Sequence, residues 1–338
     1  MSETNKQIIV TELPDGHLEE RHFALKEAPI PEAGDGEVLV RTLLLSLDAA
    51  NRAWMQGATY TAPVLAGDIM HGMTISQVVA SKDPAFAPGD IVECQSGWQE
   101  YASLPPKAMS KLEVRGPLSQ HMSILGITGL TAYFGLLEVG APKEGETLVV
   151  SAAAGAVGNV VGQIGKIEGC RVVGIAGSDE KCRWLTQDLG FDAAVNYKGD
   201  KFFQQLKEAC PDGIDVYFDN VGGDILEAVL FQMNDHGRIA CCGAVSQYDT
   251  ATPAAGPRGI PGLLVVKRIK MEGFIVMDYF AKRAQATDEL AQWAADGKLK
   301  IKEDIIDGLE NAPAALIGLL HGDNIGKRMI RVAEQSDT

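Results

Sequence analysis

The chain has 338 residues, enough for two domains, and its 46% hydrophobic and 22% charged residues suit a globular protein that buries two cores. A formal net charge of -15 without a Lys/Arg cluster argues against nucleic acid or an anionic membrane as partner and leaves room only for a local basic pocket. The six cysteines (94, 170, 182, 210, 241, 242) lack C-x-x-C pairing, the stretch Met1 to Gln7 has no signal-peptide core, and no apolar run is long enough to span a membrane, so a soluble cytoplasmic protein is expected.

From residue 7 to about 125, short β-like runs (Gln7 to Glu12, His22 to Lys26, Glu37 to Leu47, Thr74 to Ser81, Asp90 to Cys94, Gln99 to Leu104) are separated by Pro- and Gly-bearing turns, which predicts an antiparallel barrel or sandwich. Helical periodicity over Ser123 to Glu138 predicts a linking helix. Glu146 to Ile164 reads as strand, tight turn and helix. Its turn, Ala152-x-x-Gly155-x-x-Gly158 with Ala156 and Val157 inside it, is a dinucleotide fingerprint with alanine at the first glycine position. Small residues let a pyrophosphate reach backbone N–H groups at a helix start, where the macrodipole is positive. Further strands are predicted at Cys170 to Ala176, Ala193 to Val195, Ile214 to Asp219 and Gly237 to Cys242, alternating with helices at Glu180 to Leu189 and near Lys201 to Ala209. That alternation implies a parallel, doubly wound sheet. Tyr248 to Gly262 has no periodic pattern and reads as a mobile substrate loop or lid. Asp278 to Ala295 is predicted as an amphipathic helix ended by Gly297, and residues 298–338 are expected to return to the first domain.

The second strand of the nucleotide unit ends in Gly177 and Ser178, with no acid placed to bond a ribose diol. Ser178 can donate to a 2′-phosphate and Lys181 can supply positive charge, so NADP is preferred to NAD. Asp179 and Glu180 fit an N-cap and first turn. Asn220, in Asn220-Val221-Gly222-Gly223 after a buried strand, lies at the edge where open α/β sheets bind ligands and is a candidate for the nicotinamide ribose.

The order of these units, with Gly129-Leu130-Thr131-Ala132-Tyr133-Phe134-Gly135-Leu136, Ser151 to Gln163, Ala176-Gly177-Ser178-Asp179-Glu180-Lys181, Phe218-Asp219-Asn220-Val221-Gly222-Gly223, Cys242 to Tyr248 and Met271 to Val276, resembles the zinc-independent branch of the medium-chain dehydrogenase/reductase superfamily. This is the branch of leukotriene hydroxydehydrogenases, prostaglandin reductases, curcumin reductases and alkenal double-bond reductases. The resemblance runs from about Pro29 to Ile330 and implies an α/β fold: a Rossmann doubly wound parallel sheet at 126–298 with a GroES-like β-barrel catalytic domain at 1–125 and 299–338. It further implies a phosphate contact from Tyr197, a cofactor contact from Asn324, and backbone approach to the carboxamide by Cys242, Gly243, Phe274, Ile275 and Val276. Where relatives carry Asp-Pro-Tyr-Met-Arg, this chain has Asp48-Ala49-Ala50-Asn51-Arg52, and Val266 stands where prostaglandin reductases have a tyrosine.

Zinc-dependent relatives polarise the substrate oxygen with a metal held by Cys and His. The corresponding residues here are Ser46 and Met73, with His71 one residue off register, and no metal is expected. Hydride transfer then suits a substrate that delocalises negative charge. The expected reaction is NADPH-dependent reduction of the C=C bond of an enone or enal; quinone reduction, allylic alcohol oxidation, or a nucleotide-sensing or RNA-binding role are the alternatives. Tyr60 and Tyr248 are the candidate donors to the carbonyl oxygen, with water as another proton source. A homodimer is expected, pairing through the β-rich stretch from Lys270 to Val276.

Overall fold

A computed structural model describes residues 4–57, 59–252 and 256–336. Strands β1 (Asn5–Val10) and β2 (Phe23–Ala28) form an antiparallel ribbon. A larger mixed sheet contains β3 (Val38–Ser46), β4 (Thr74–Ser81), β5 (Ile91–Cys94), β6 (Tyr101–Leu104), β7 (Met109–Lys111), β14 (Glu303–Asp307) and β15 (Lys327–Arg331). Its order is β14-β15-β3-β4-β5-β7, with β6 also on β3, and every pairing except the parallel β14–β15 is antiparallel. Strand β15 pairs with β3 through Met329 and Ser46, so the end of the chain does return to the first sheet. The first strand is shifted towards the amino terminus relative to the sequence expectation, because it follows the register in which Asn5 faces Ala28.

Between these parts lies a six-stranded parallel sheet, β10-β9-β8-β11-β12-β13, made of β8 (Thr147–Val150), β9 (Arg171–Ala176), β10 (Ala193–Asn196), β11 (Ile214–Asp219), β12 (Met233–Cys241) and β13 (Lys270–Gly273). The order reverses at β8, as in a dinucleotide-binding sheet. Alternate side chains of β8 serve two cores. Leu148 and Val150 pack with Leu130 of α2 (Ile127–Phe134), Val161 of α3 (Ala156–Ile167) and Leu290 of α8 (Arg283–Ala295). Val149 packs on the other face with Leu206 of α5 (Phe202–Ala209) and Val229 of α6 (Gly223–Gln232). Burial on both faces explains why these strands are continuous apolar runs.

Two expected helices differ from the structure. The predicted helix over Ser123 to Glu138 starts only at Ile127, as α2, and passes into a wider π-helical turn at Gly135–Gly140. Gly135 lies beneath Phe274, whose ring would collide with a side chain there. The helix predicted from Asp278 begins as a 3-10 turn at Val276–Lys282, which stacks Tyr279 on Phe134 at 5.1 Å between ring centroids, and becomes α-helical only at Arg283.

Candidate active site and cofactor cleft

The turn between β8 and α3 is built around Ala152, whose φ of 47° lies in the left-handed region. For a residue with a Cβ that conformation costs roughly 1–2 kcal/mol, so the position needs backbone tolerance as well as a small side chain. The Gly155 N–H donates to the Ala152 carbonyl at 2.9 Å, and a Cβ on Gly158 would strike that same carbonyl. Absence of side chains here brings α3 close to β8 and leaves its first amides, at Ala156 and Val157, open at a positive helix end. The carboxy-terminal chain crosses the turn: the Gly326 N–H donates to the Ala154 carbonyl at 2.9 Å, and buried Asn324 donates from Nδ2 to the Gly326 carbonyl at 2.8 Å. Asn324 therefore stands beside the turn, one residue removed from the Gly326 contact with Ala154.

At the end of β9, Ser178 is itself the N-cap of α4 (Asp179–Gln187), accepting the Lys181 N–H at 3.3 Å. This corrects the expectation for Asp179 and Glu180, which lie in the first turn and do not provide the cap; the extended backbone of Ser178 is what lets its hydroxyl face the free amide. Lys181 donates from Nζ to the Gly322 carbonyl. Tyr197 lies against Gly177, so close that a Cβ on the glycine would be 3.2 Å from Tyr197 Cε1. Lys198 reaches over the Tyr197 ring, with Nζ 5.9 Å from the centroid. Burial lowers the pKa of the Lys181 ammonium; Asp323 opposes the shift, and Lys198 and Arg328 reinforce it. A half-buried group of like charges of this kind is relieved by a bound anion. Sequence reasoning missed Lys198, although it adjoins Tyr197 in Asn196-Tyr197-Lys198.

At the carboxyl edge of β11, Asn220 ties two strand ends together. Its N–H donates to Ser151 Oγ at 2.9 Å and its Nδ2 to the Ser151 carbonyl at 2.8 Å. Its Oδ1 accepts no hydrogen bond among the described residues, so one polar atom at the sheet edge remains for a ligand. The Cys242 and Gly243 N–H groups both donate to the Asp219 carbonyl, at 2.8 and 3.1 Å, which ties the end of β12 to that of β11. Asp219, also missed by sequence reasoning, accepts from Tyr217 Oη at 2.8 Å and from the Val221 and Gly222 amides. Phe274 packs edge-on against Phe218, Ile275 is partly exposed, and buried Val276 opens the 3-10 turn.

Tyr248 stands beside Gly243, its hydroxyl accepting the Ala244 N–H at 3.0 Å and keeping its own hydrogen for another acceptor. Burial raises the pKa of this phenol; the Ala244 amide opposes the rise, and Cys242 and Asp219 add to it. Burial also leads the rise at Tyr60, which the Trp54 indole opposes and Asp48, Tyr248 and Cys242 reinforce. Tyr60 is nonetheless 55% exposed, whereas Tyr248 is partly buried. Trp54 Nε1 makes no hydrogen bond of ordinary geometry. The flanks of the loop after Tyr248 are anchored at Asp249 and, through Arg258 to Glu227 at 2.6 Å, on α6; residues 253–255 of the expected lid lie outside the described residues.

The two positions that hold zinc ligands in metal-dependent relatives are adjacent, since the Ser46 N–H donates to the Met73 carbonyl at 2.9 Å. Ser46 Oγ donates to Asp48, which pairs with the fully buried Lys327 at 2.5 Å, while His71 meets Asn51 through its backbone carbonyl at 3.1 Å. A hydroxyl, a thioether and an ammonium are a poor donor set for zinc. Among the described residues no group of three or more His, Cys, Asp or Glu side chains could hold a metal ion. No helix among the described residues is long and apolar enough to cross a membrane.

Residues 6–112 match the family described as the N-terminal domain of oxidoreductase, and residues 156–295 that described as zinc-binding dehydrogenase. The chain is 45% identical to the NADPH-dependent curcumin reductase of Escherichia coli over 97% of each chain. It is 42% identical to the NADP(+)-dependent 2-alkenal reductase of Nicotiana tabacum over 98% of each. The crystal structure of CurA in complex with NADPH from Vibrio vulnificus superposes with a TM-score of 0.93 at 42% identity, covering 97% of this chain and 99% of that one. With a serine and a methionine at the ligand positions and such relatives along its whole length, the chain belongs to the zinc-independent branch of the medium-chain dehydrogenase/reductase superfamily.

Proposed function

We propose that the chain is an NADP-dependent oxidoreductase that reduces the C=C bond of α,β-unsaturated ketones and aldehydes, in the cytoplasm and as a homodimer. The observation that carries this reading is the Tyr248 hydroxyl, which accepts the Ala244 N–H and keeps its own hydrogen beside Gly243 after the end of β12, in a sheet whose β9 and β10 end at the Ser178, Lys181 and Tyr197 group suited to a 2′-phosphate. Ser178, Lys181 and Tyr197 beside Gly177 hold that phosphate, with Lys198 as a further cation. The amides from Gly155 to Gly158, with Asn324 behind them, hold the pyrophosphate. Asn220 Oδ1 meets the nicotinamide ribose, and the backbone of Cys242, Gly243 and Phe274 to Val276 lines the carboxamide. Residues 126–298 form the nucleotide domain, and 1–125 with 299–338 the catalytic domain.

When bound, NADPH supplies the hydride that adds to the β-carbon. The electron pair of the C=C bond moves towards the carbonyl and leaves an enolate, whose oxygen needs a hydrogen-bond donor. The phenol of Tyr248 or Tyr60 donates to it, a contact that stabilises the transition state by about 2.7–4 kcal/mol if it acts as oxyanion donors do. A proton from that phenol, or from water beside it, then completes the α-carbon. Homodimer formation is supported by β13, an edge strand paired only with β12 among the described residues, and by Val265 and Val266 exposed on the helix at Gly262–Lys267 just before it.

Initial rates with an enone, an enal and a quinone, each with NADPH and NADH and with a chelator present, test this function. Turnover of enone and enal with NADPH, unaffected by chelation, is expected; turnover of the quinone alone would overturn the substrate class. Lys181→Ala is expected to raise KM for NADPH about tenfold or more, the loss of one charge-assisted contact, while leaving the KM for NADH little changed.

A further inference from the structure

We infer that the Arg52–Asp249 ion pair is a positioning device for Tyr248, a clasp that seats the segment 247–249 of the nucleotide-domain chain on helix α1 and the segment 16–18 of the catalytic domain and so fixes the phenol at the reacting carbonyl. This rests on the reading of Tyr248 as the donor. Arg52 lies on α1 (Ala49–Trp54), the short helix that follows β3, and its side chain is 1% exposed. Its Nε donates to Asp249 Oδ1 at 3.1 Å and its Nη2 to the Gly16 carbonyl at 2.7 Å. Asp249 also accepts the Leu18 N–H at 2.7 Å on Oδ1 and meets His17 Nδ1 at 3.1 Å through Oδ2.

On the other side of the phenol, exposed Gln56 donates from Nε2 to the Gln247 carbonyl at 3.1 Å. Tyr248 is therefore flanked, at the residue before and the residue after, by contacts reaching across nearly two hundred positions of sequence. Arg52 Nη1 has no hydrogen-bond partner among the described residues, so Asp249 is the one carboxylate shown facing this buried guanidinium. Parting a buried cation from its one carboxylate is costly, which makes the pair a fixed reference for its neighbour. Among the described residues no hydrogen bond of Tyr248 itself reaches the amino-terminal part of the chain: its hydroxyl is held by Ala244, four residues earlier on the same loop. The clasp thus sets where the loop sits, and the Ala244 amide sets how the ring is turned.

A double-mutant cycle between Asp249→Ala and Tyr248→Phe, measured as kcat and KM for an enone with the NADPH dissociation constant followed by fluorescence, tests the clasp. Asp249→Ala is expected to lower kcat about tenfold or more through misplacement of the phenol, with NADPH binding unchanged. The double variant is expected to be no slower than Tyr248→Phe, because the effect passes through that hydroxyl. Asp249→Asn keeps an acceptor for the Leu18 amide and for Arg52 Nε, and is expected to lose less; it takes the place of Asp249→Ala in the cycle if the alanine variant does not fold. Unchanged kcat in the Asp249 variant, or losses that multiply in the double variant, would overturn the clasp while a slow Tyr248→Phe enzyme keeps the donor assignment. A fully active Tyr248→Phe enzyme would overturn the donor assignment and the clasp with it.

Discussion

At the scale of single residues, the chemistry depends on which groups keep their protons. Burial raises the pKa values of both Tyr60 and Tyr248, so each remains a donor through the neutral range. In the proposed mechanism the protonated phenol is the active form, so activity is full below the raised pKa and falls as pH rises through it. The profile of kcat/KM is therefore expected to be flat across neutrality, with its alkaline limb above about 10, the ordinary tyrosine value. Replacing the acting tyrosine by phenylalanine removes that limb and lowers kcat about a hundredfold; a limb near neutrality that survives both substitutions would contradict the assignment. The thiols point the same way. Burial pushes Cys170 and Cys241 up to about 11 and Cys210 and Cys242 up to about 12, so they stay in the less nucleophilic form in the presence of electrophilic enals.

At the scale of elements, the strand–turn–helix at 147–167 was legible because its signals are local: an apolar run, small residues at fixed spacing, then helical periodicity. Ser178 and Lys181 were legible for the same reason, being one turn apart on α4. The left-handed Ala152 was not, since composition reveals a small residue but not its φ. The breaks at Gly135 and before Arg283 were also hidden, because they follow from Phe274 covering a glycine and Tyr279 stacking on Phe134, contacts made between distant segments. The turn offers its own test. Gly158→Val drives a branched Cβ into the Ala152 carbonyl oxygen, and such overpacking costs about 1–3 kcal/mol. A lower Tm together with weakened NADPH binding by fluorescence is expected; a variant that loses neither would show that close approach of α3 to this turn is not required.

At the scale of the molecule, the alternation of strands and helices and the return of β15 to β3 could be anticipated, since each depends on the order of elements along the chain. What joins the two sheets could not. Arg52 and Asp249 are 197 positions apart, and neither residue alone signals a partner. The same holds for Arg283, which bridges from α8 to Glu93 on β5 at 2.5 Å, and for Gly326 against Ala154. Absence of metal ligands at Ser46 and Met73 was plain in the sequence; their adjacency, with Lys327 and Asp48 beneath them, needed the fold. Together these features support the proposed site, in which a conjugated carbonyl is oriented and its enolate is stabilised by a phenol in place of a metal ion. The most direct measurement is reduction of an enone by NADPH carrying deuterium at the transferable position, with the product analysed by NMR. One deuterium on the β-carbon of a saturated ketone, with the carbonyl intact, is the expected result; deuterium on the carbinol carbon of an allylic alcohol would contradict the account.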